Sequence, residues 1–172
     1  MVIWLVGLSG AGKTTLGEAM VAQWRTRCPA TVLLDGDAVR RIFDQDRSDA
    51  DYDLESRRRN ARRITYLCEW LDTQGLNVVC CILSIFPEMR AANRTRFSRY
   101  FEVFLDAPLS ALVARDRKGL YAAALRGERR NVVGVDLPFE RPQSADLVID
   151  TTLPAANPDT LARELLDHAR AW

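Results

Sequence analysis

The residues Gly7-Leu8-Ser9-Gly10-Ala11-Gly12-Lys13-Thr14 spell G-x-x-x-x-G-K-[ST] in full. An apolar run leads into them and a helical pattern follows, which is the setting this motif requires. Its glycines let backbone N–H groups turn inward around phosphates, and the positive end of the following helix dipole points at the same anion. Lys13 is placed to reach the β- and γ-phosphates, and the Thr14 hydroxyl to coordinate Mg²⁺. Gly7, Ser9, Gly10, Ala11, Gly12, Lys13, Thr14 and Thr15 form the expected ATP-binding set. The motif specifies a nucleoside triphosphate and leaves open the chemistry that follows.

A second group sits at the end of the next apolar run, Leu34-Asp35-Gly36-Asp37, with Arg40 one turn later. Strand C-termini line the ligand crevice of a doubly wound sheet, so these carboxylates are expected beside the phosphate loop. Asp37 is the candidate to orient a substrate hydroxyl or take its proton, and Asp35 to position Mg²⁺ through water. Read alone, an Asp-Gly-Asp turn could equally be a helix cap. No N-K-x-D tetrapeptide is present, and Asp116-Arg117-Lys118-Gly119 has the D-x-x-G spelling in what reads as a helical rather than a strand-ending context, which argues against a GTP switch. A motor or transporter subunit needs a larger chain to couple hydrolysis to movement. A small kinase remains, with a nucleotide-binding module that performs no transfer as the reading from another class; the presence of both Lys13 and Asp37 counts against the module.

The elements that must position these groups follow from hydrophobic patterning. MVIWLV, TVLLD, NVVCCIL, YFEVFLD and DLVID are continuous apolar runs of strand length, the pattern of strands buried on both faces. Helical patterns separate them. One runs from Leu54 to Gly75, with Ile64, Leu67, Cys68 and Leu71 on one face and Gly75 as its terminator; another runs from about Pro158 to Trp172. The expected fold is α/β: a P-loop three-layer sandwich, one domain over residues 1–172, its five-stranded parallel sheet covered by helices on both faces. The irregular stretch Arg126 to Pro142 is the candidate lid, extending back to Lys118.

Composition narrows the class. Hydrophobic residues are 48% and charged residues 27% of the chain, which fits a soluble globular protein. No apolar run approaches the roughly 20 residues that span a bilayer, and the first strand lacks the flanks of a signal peptide. A cytoplasmic protein with no membrane or nucleic-acid partner is expected, since 24 Lys and Arg against 23 Asp and Glu leave a net charge of +1. Arg57, Arg58, Arg59, Arg62 and Arg63 are nonetheless crowded together, a pattern more often a solvated helix face than an anion site. The four cysteines, Cys28, Cys68, Cys80 and Cys81, lack metal-ligand spacing, and three of them sit in apolar segments, which suits reduced core residues.

Taken in order, Gly7 to Thr15, Asp35-Gly36-Asp37 with Arg40, Arg57 with Asn60 and Arg62-Arg63-Ile64, Lys118-Gly119-Leu120-Tyr121, and Asp146 to Asp150 resemble the adenylylsulfate (APS) kinases over nearly the whole chain. The resemblance implies transfer of the ATP γ-phosphate to the 3′-hydroxyl of a nucleotide substrate, with Mg²⁺. It implies Asp37, Lys13 and Lys118 as catalytic. It places Arg40, Arg57 and Asn60 on the substrate's phosphate groups, Leu83 and Ser84 along its pocket, and Lys118, Gly119 and Leu120 near its sugar and base. It also implies a homodimer. Arg57 and Asn60, one turn apart, face the same way, whereas Arg58 and Arg59 point elsewhere.

Three departures bear on the substrate. The aromatic clamp typical of the family, which holds the substrate base, is Tyr52 on one side and Val132 on the other; a valine lacks the stacking of a ring, about 0.5–1.5 kcal/mol beyond area burial. The usual I-S-P segment is replaced by Leu83-Ser84-Ile85-Phe86-Pro87, which shifts the proline. The extension that precedes the first strand in many members is absent. These features resemble the branch that includes cytidine diphosphoramidate kinases of surface-polysaccharide pathways, so adenine and cytosine both stay open as the substrate base. Of the remaining residues, Tyr52 and Tyr121 are the functional aromatics expected. Trp4, Trp24 and Trp70 are assigned to the core, Trp172 to a mobile chain end and His168 to the surface.

Overall fold

The computed structural model describes residues 1–152 and 157–171, so the expectation for Trp172 lies outside the described residues. The five apolar runs form strands β1 (Val2–Val6), β2 (Thr31–Asp35), β3 (Asn77–Ile82), β4 (Tyr100–Asp106) and β5 (Leu147–Asp150). They make one sheet in the order β2-β3-β1-β4-β5, every pairing parallel. Parallel neighbours need long crossovers, and the helices supply them. These are α1 (Lys13–Trp24), α2 (Gly36–Ile42), α3 (Leu54–Thr73), α4 (Pro87–Arg96), α5 (Leu109–Ala114), α6 (Leu120–Leu125) and α7 (Pro158–His168), with a 3-10 turn at Asp49–Tyr52.

Both faces of the sheet are covered, as the continuous apolar runs require. On one face Leu16, Met20 and Trp24 of α1 pack with Leu165 and Leu166 of α7 against Ile3, Leu5 and Val79. On the other, Ile64 and Cys68 of α3 pack with Trp4, Val78 and Phe97. Burying each large apolar side chain contributes roughly 1.5–3 kcal/mol. The Trp24 indole N–H also donates to the Ala171 carbonyl at 2.9 Å, fastening the chain beyond α7 onto α1.

Two glycines set how closely the loop and α1 approach the sheet. A β-carbon on Gly7 would lie 2.7 Å from the Leu105 carbonyl oxygen, and one on Gly17 would lie 2.4 Å from Cys81 Sγ. The phosphate loop is therefore pressed against β4 and α1 against β3. Because β1 has β3 on one side and β4 on the other, the loop opens at the point where the strand order reverses, the usual crevice of such sheets.

Three expectations need correction. Trp70 is 61% exposed, not in the core: six positions beyond Ile64 on a 3.6-residue helix, it falls on the outer face of α3. The last helix ends at His168 rather than Trp172, and His168 is exposed as expected. Asp116-Arg117-Lys118-Gly119 lies in the turn between α5 and α6, where the Asp116 carboxylate accepts from the N–H groups of Leu120, Tyr121 and Ala122. Cys68, Cys80 and Cys81 are buried free thiols, and burial raises Cys81 to about 12, which keeps it protonated. Among the described residues no helix is long and apolar enough to cross a membrane.

Candidate active site

The loop between β1 and α1 turns through Gly10 and Gly12, whose φ angles of 77° and 93° are left-handed and favour residues without a β-carbon. Gly7 and Ala11 are buried beneath the loop and shape it. Lys13 Nζ donates to the Leu8 carbonyl at 2.8 Å, folded across the loop. Burial lowers the pKa of this ammonium from the usual lysine value, and the charges of Asp37 and Asp35 act against that shift.

Thr14 Oγ1 donates to Asp35 Oδ2 at 2.8 Å, joining the end of β2 to the start of α1. The other carboxylate oxygen of Asp35 accepts from the N–H groups of Asp37 (2.9 Å) and Ala38 (3.0 Å). Asp35 is thus both the cap of α2 and a neighbour of the threonine hydroxyl, so the two readings of the Asp-Gly-Asp turn are compatible. These hard oxygen atoms suit Mg²⁺, which takes one or two protein oxygens and completes its shell with phosphates and water. Among the described residues no cluster of three or more His, Cys, Asp or Glu side chains could enclose a metal without such help.

Two clefts meet beside this loop. The first is lined by Gly10, Gly12, Lys13, Thr14, Thr15, Asp35, Arg115 and Lys118. The second has about 1050 Å³ of open space, its mouth included, and is lined by Asp37, Arg40, Tyr52, Arg57, Asn60, Leu83, Ser84, Lys118, Leu120 and Val132. The structure thus brings together every substrate-side residue expected from the sequence except Gly119. That residue, with φ 65°, turns the chain so that Lys118 and Leu120 face the clefts on either side of it. Ser9, Gly36, Asp37, Leu83, Lys118 and Leu120 line both clefts. Asp37 is exposed there, and its carboxylate enters no hydrogen bond or salt bridge among the described residues.

The arginines divide as their helix positions predict. Arg57 donates through Nε to the Tyr52 carbonyl and through Nη2 to the Asn131 carbonyl, both at 2.7 Å, so it clasps the two walls of the second cleft. Burial, then the neighbouring charge of Arg40, lowers its pKa to about 10, which leaves it a cation at neutral pH. Arg40 is buried, donates to the Asp51 carbonyl at 2.6 Å and lies 4.7 Å from the Tyr52 ring centroid. Asn60 is buried beside them with its Oδ1 fully enclosed and unpartnered. Arg58 instead pairs with Glu88 at 2.6 Å and lies over Phe86, and Arg59 binds the Ser56 hydroxyl.

Sequence reading missed Arg129 and Arg130, which also line the second cleft. Arg129 Nε is 3.2 Å from Asp49 Oδ1, and its guanidinium lies 5.9 Å from the Tyr52 ring centroid. The one signal was a basic pair directly before Asn131 and Val132. Arg40, Arg57, Arg129, Arg130 and Lys118 against a single Asp37 make this cleft strongly cationic, which suits an anion. Val132 is buried in its wall, so Tyr52 is layered by guanidinium groups and no second ring faces it from position 132. Tyr121 lines the first cleft with its ring buried, and its hydroxyl donates to the Ser9 carbonyl at 2.8 Å, bracing the loop from α6.

Comparison with known proteins places this geometry in context. A family model described as adenylylsulphate kinase matches residues 1–150. An adenylyl-sulfate kinase of Paraburkholderia xenovorans is 42% identical over 153 residues, covering 87% of this chain and 83% of its own. A cytidine diphosphoramidate kinase of Campylobacter jejuni is 37% identical over 151 residues, covering 88% and 86%. The solved structure of the Mycobacterium tuberculosis APS kinase CysC in complex with AMPPNP and APS superposes with a TM-score of 0.85 at 32% identity, covering 98% of this chain and 96% of that one.

Proposed function

The chain belongs to the adenylylsulphate kinase family, and we propose that it transfers the γ-phosphate of ATP to the 3′-hydroxyl of adenylylsulfate. The observation that carries this reading is the pair of clefts meeting at Asp37 and Lys118. A phosphoryl donor in one and a hydroxyl acceptor in the other would face each other there. The solved CysC complex holds an ATP analogue and APS together, which supports the assignment of one nucleotide to each cleft.

In this reading Gly10, Gly12, Lys13, Thr14 and Thr15 hold the triphosphate, with Thr14 and Asp35 placed to hold Mg²⁺. Held there, Mg²⁺ would supply positive charge against the triphosphate. Asp37 orients the acceptor hydroxyl and takes its proton as the oxygen bonds to the γ-phosphorus and ADP leaves. Lys13 and Lys118 meet the charge that spreads over the transferred group. Arg40, Arg57 and Asn60 bind the acceptor's charged groups, Arg57 through the nitrogen that its two wall contacts leave over. Leu83, Ser84, Leu120 and Val132 line the acceptor, and Tyr52 supports its base.

A second acceptor is favoured by one observation, the missing ring at Val132. A cytidine nucleotide bearing a phosphoramidate presents a smaller base and an anionic tail whose terminal group carries an NH2 in place of a sulfate oxygen, and a relative named cytidine diphosphoramidate kinase is 37% identical. The test is to incubate the protein with Mg-ATP and each nucleotide and to identify the product. A 3′-phosphorylated product from adenylylsulfate supports the first reading and one from the cytidine compound alone the second. Phosphorylation of neither would overturn both.

A further inference from the structure

The wall of the acceptor cleft contains a backbone anomaly. Ser84, buried in the connection between β3 and α4, has φ 52°, in the left-handed region that a side chain makes costly. The connection is short, because β3 ends at Ile82 and α4 starts with Pro87 at its first position. Two contacts hold Ser84 there. The Trp4 indole N–H donates to its hydroxyl at 3.4 Å, and Arg90 Nη1 donates to its carbonyl at 2.6 Å.

Arg90 is itself buried, and its Nε lies 3.5 Å from Glu102 Oε1. The Tyr100 hydroxyl donates to the other oxygen of Glu102 at 2.6 Å. Thus Tyr100 and Glu102 of β4 orient a guanidinium on α4 whose far end grips the carbonyl of a cleft residue. A buried arginine–carboxylate pair adds no more stability than well-packed apolar residues would, so what its geometry fixes is the informative part. None of Arg90, Glu102 or Tyr100 lines either nucleotide cleft.

We propose that Arg90, oriented by Glu102 and Tyr100, is a positioning residue that keeps Ser84 left-handed and so sets the wall of the acceptor cleft. The proposal rests on the second cleft being the acceptor site. It assigns Arg90 an effect on acceptor binding and none on ATP, whose loop it does not touch.

The test uses Arg90→Lys, which keeps the charge and loses the planar fork, with Ser84→Gly and the double variant, assayed on whichever of adenylylsulfate and cytidine diphosphoramidate the wild type turns over. Arg90→Lys is expected to raise the acceptor KM about tenfold while the ATP KM stays within about twofold. Glycine adopts positive φ without strain, so adding Arg90→Lys to Ser84→Gly is expected to cost much less than the same change in the wild type. A crystal structure of Arg90→Lys is expected to show residue 84 moved out of the left-handed region. Equal changes in both KM values, or full additivity in the double variant, would overturn the inference. Absence of wild-type turnover would count against the kinase reading alone. The crystal structure would still decide the positioning role, since a residue 84 that stays left-handed in Arg90→Lys refutes it.

Discussion

At the scale of single residues the account turns on Asp37, whose unpartnered carboxylate stands where the two clefts join. Asp37→Asn keeps the shape and loses the base, so kcat is expected to fall by about 10²–10⁴ with the ATP KM little changed; initial-rate kinetics check this. Val132→Phe restores a ring to the wall, and stacking of about 0.5–1.5 kcal/mol predicts a roughly 2- to 12-fold shift in the adenine-to-cytosine ratio of kcat/KM toward adenine. An unchanged ratio would show that position 132 does not read the base. Arg57 carries a pH prediction with a definite sign. Its pKa is lowered to about 10, so it stays charged below that pH and loses its proton as pH rises through it. The acceptor KM should therefore be flat from pH 7 to 9 and climb as pH approaches about 10. The phosphate loop and Asp37 were named from motif and strand-end position, and Arg40, Arg57 and Asn60 from the family resemblance; the structure places all of them along the two clefts. Arg129 and Arg130 were not legible, because a loop sequence does not reveal which element it folds against.

At the scale of elements, the strands were readable because burial on both faces leaves an uninterrupted apolar run, while Trp70 was misplaced because a long helix offers an outer face as well as an inner one. The fastening of the candidate lid was not readable at all. Arg57 holds the Asn131 carbonyl, Asn131 Nδ2 donates to the Asp49 carbonyl at 2.9 Å, and Asp49 also receives the Arg130 N–H at 3.2 Å. The segment after α6 is thus tied to the 3-10 turn that carries Tyr52. If this lid excludes water, shortening Arg126 to Phe139 should lower transfer and raise ATP hydrolysis; an unchanged transfer-to-hydrolysis ratio would refute that role. The seating of α1 on β3 gives a stability prediction. Gly17→Ala places a methyl 2.4 Å from Cys81 Sγ, and overpacking of this kind is expected to cost roughly 1–3 kcal/mol, read as a lower thermal midpoint, despite the better helix propensity of alanine.

At the scale of the whole molecule, a near-neutral net charge conceals a strong local asymmetry. Acidic and basic residues almost cancel over the chain, yet the second cleft gathers four arginines and a lysine around one aspartate. The overall count therefore says nothing of the cationic cleft, because charge is placed by the fold and not by the count. The sheet order brings the ends of β1, β2 and β3 to one edge, and there the two clefts share a wall. The most direct test is acceptor-dependent ADP release by the wild type and Asp37→Asn in Mg-ATP, with and without adenylylsulfate or cytidine diphosphoramidate. The account predicts release that needs an acceptor nucleotide and nearly vanishes in the variant. Release independent of any acceptor, or unaffected by loss of the Asp37 carboxylate, would contradict it.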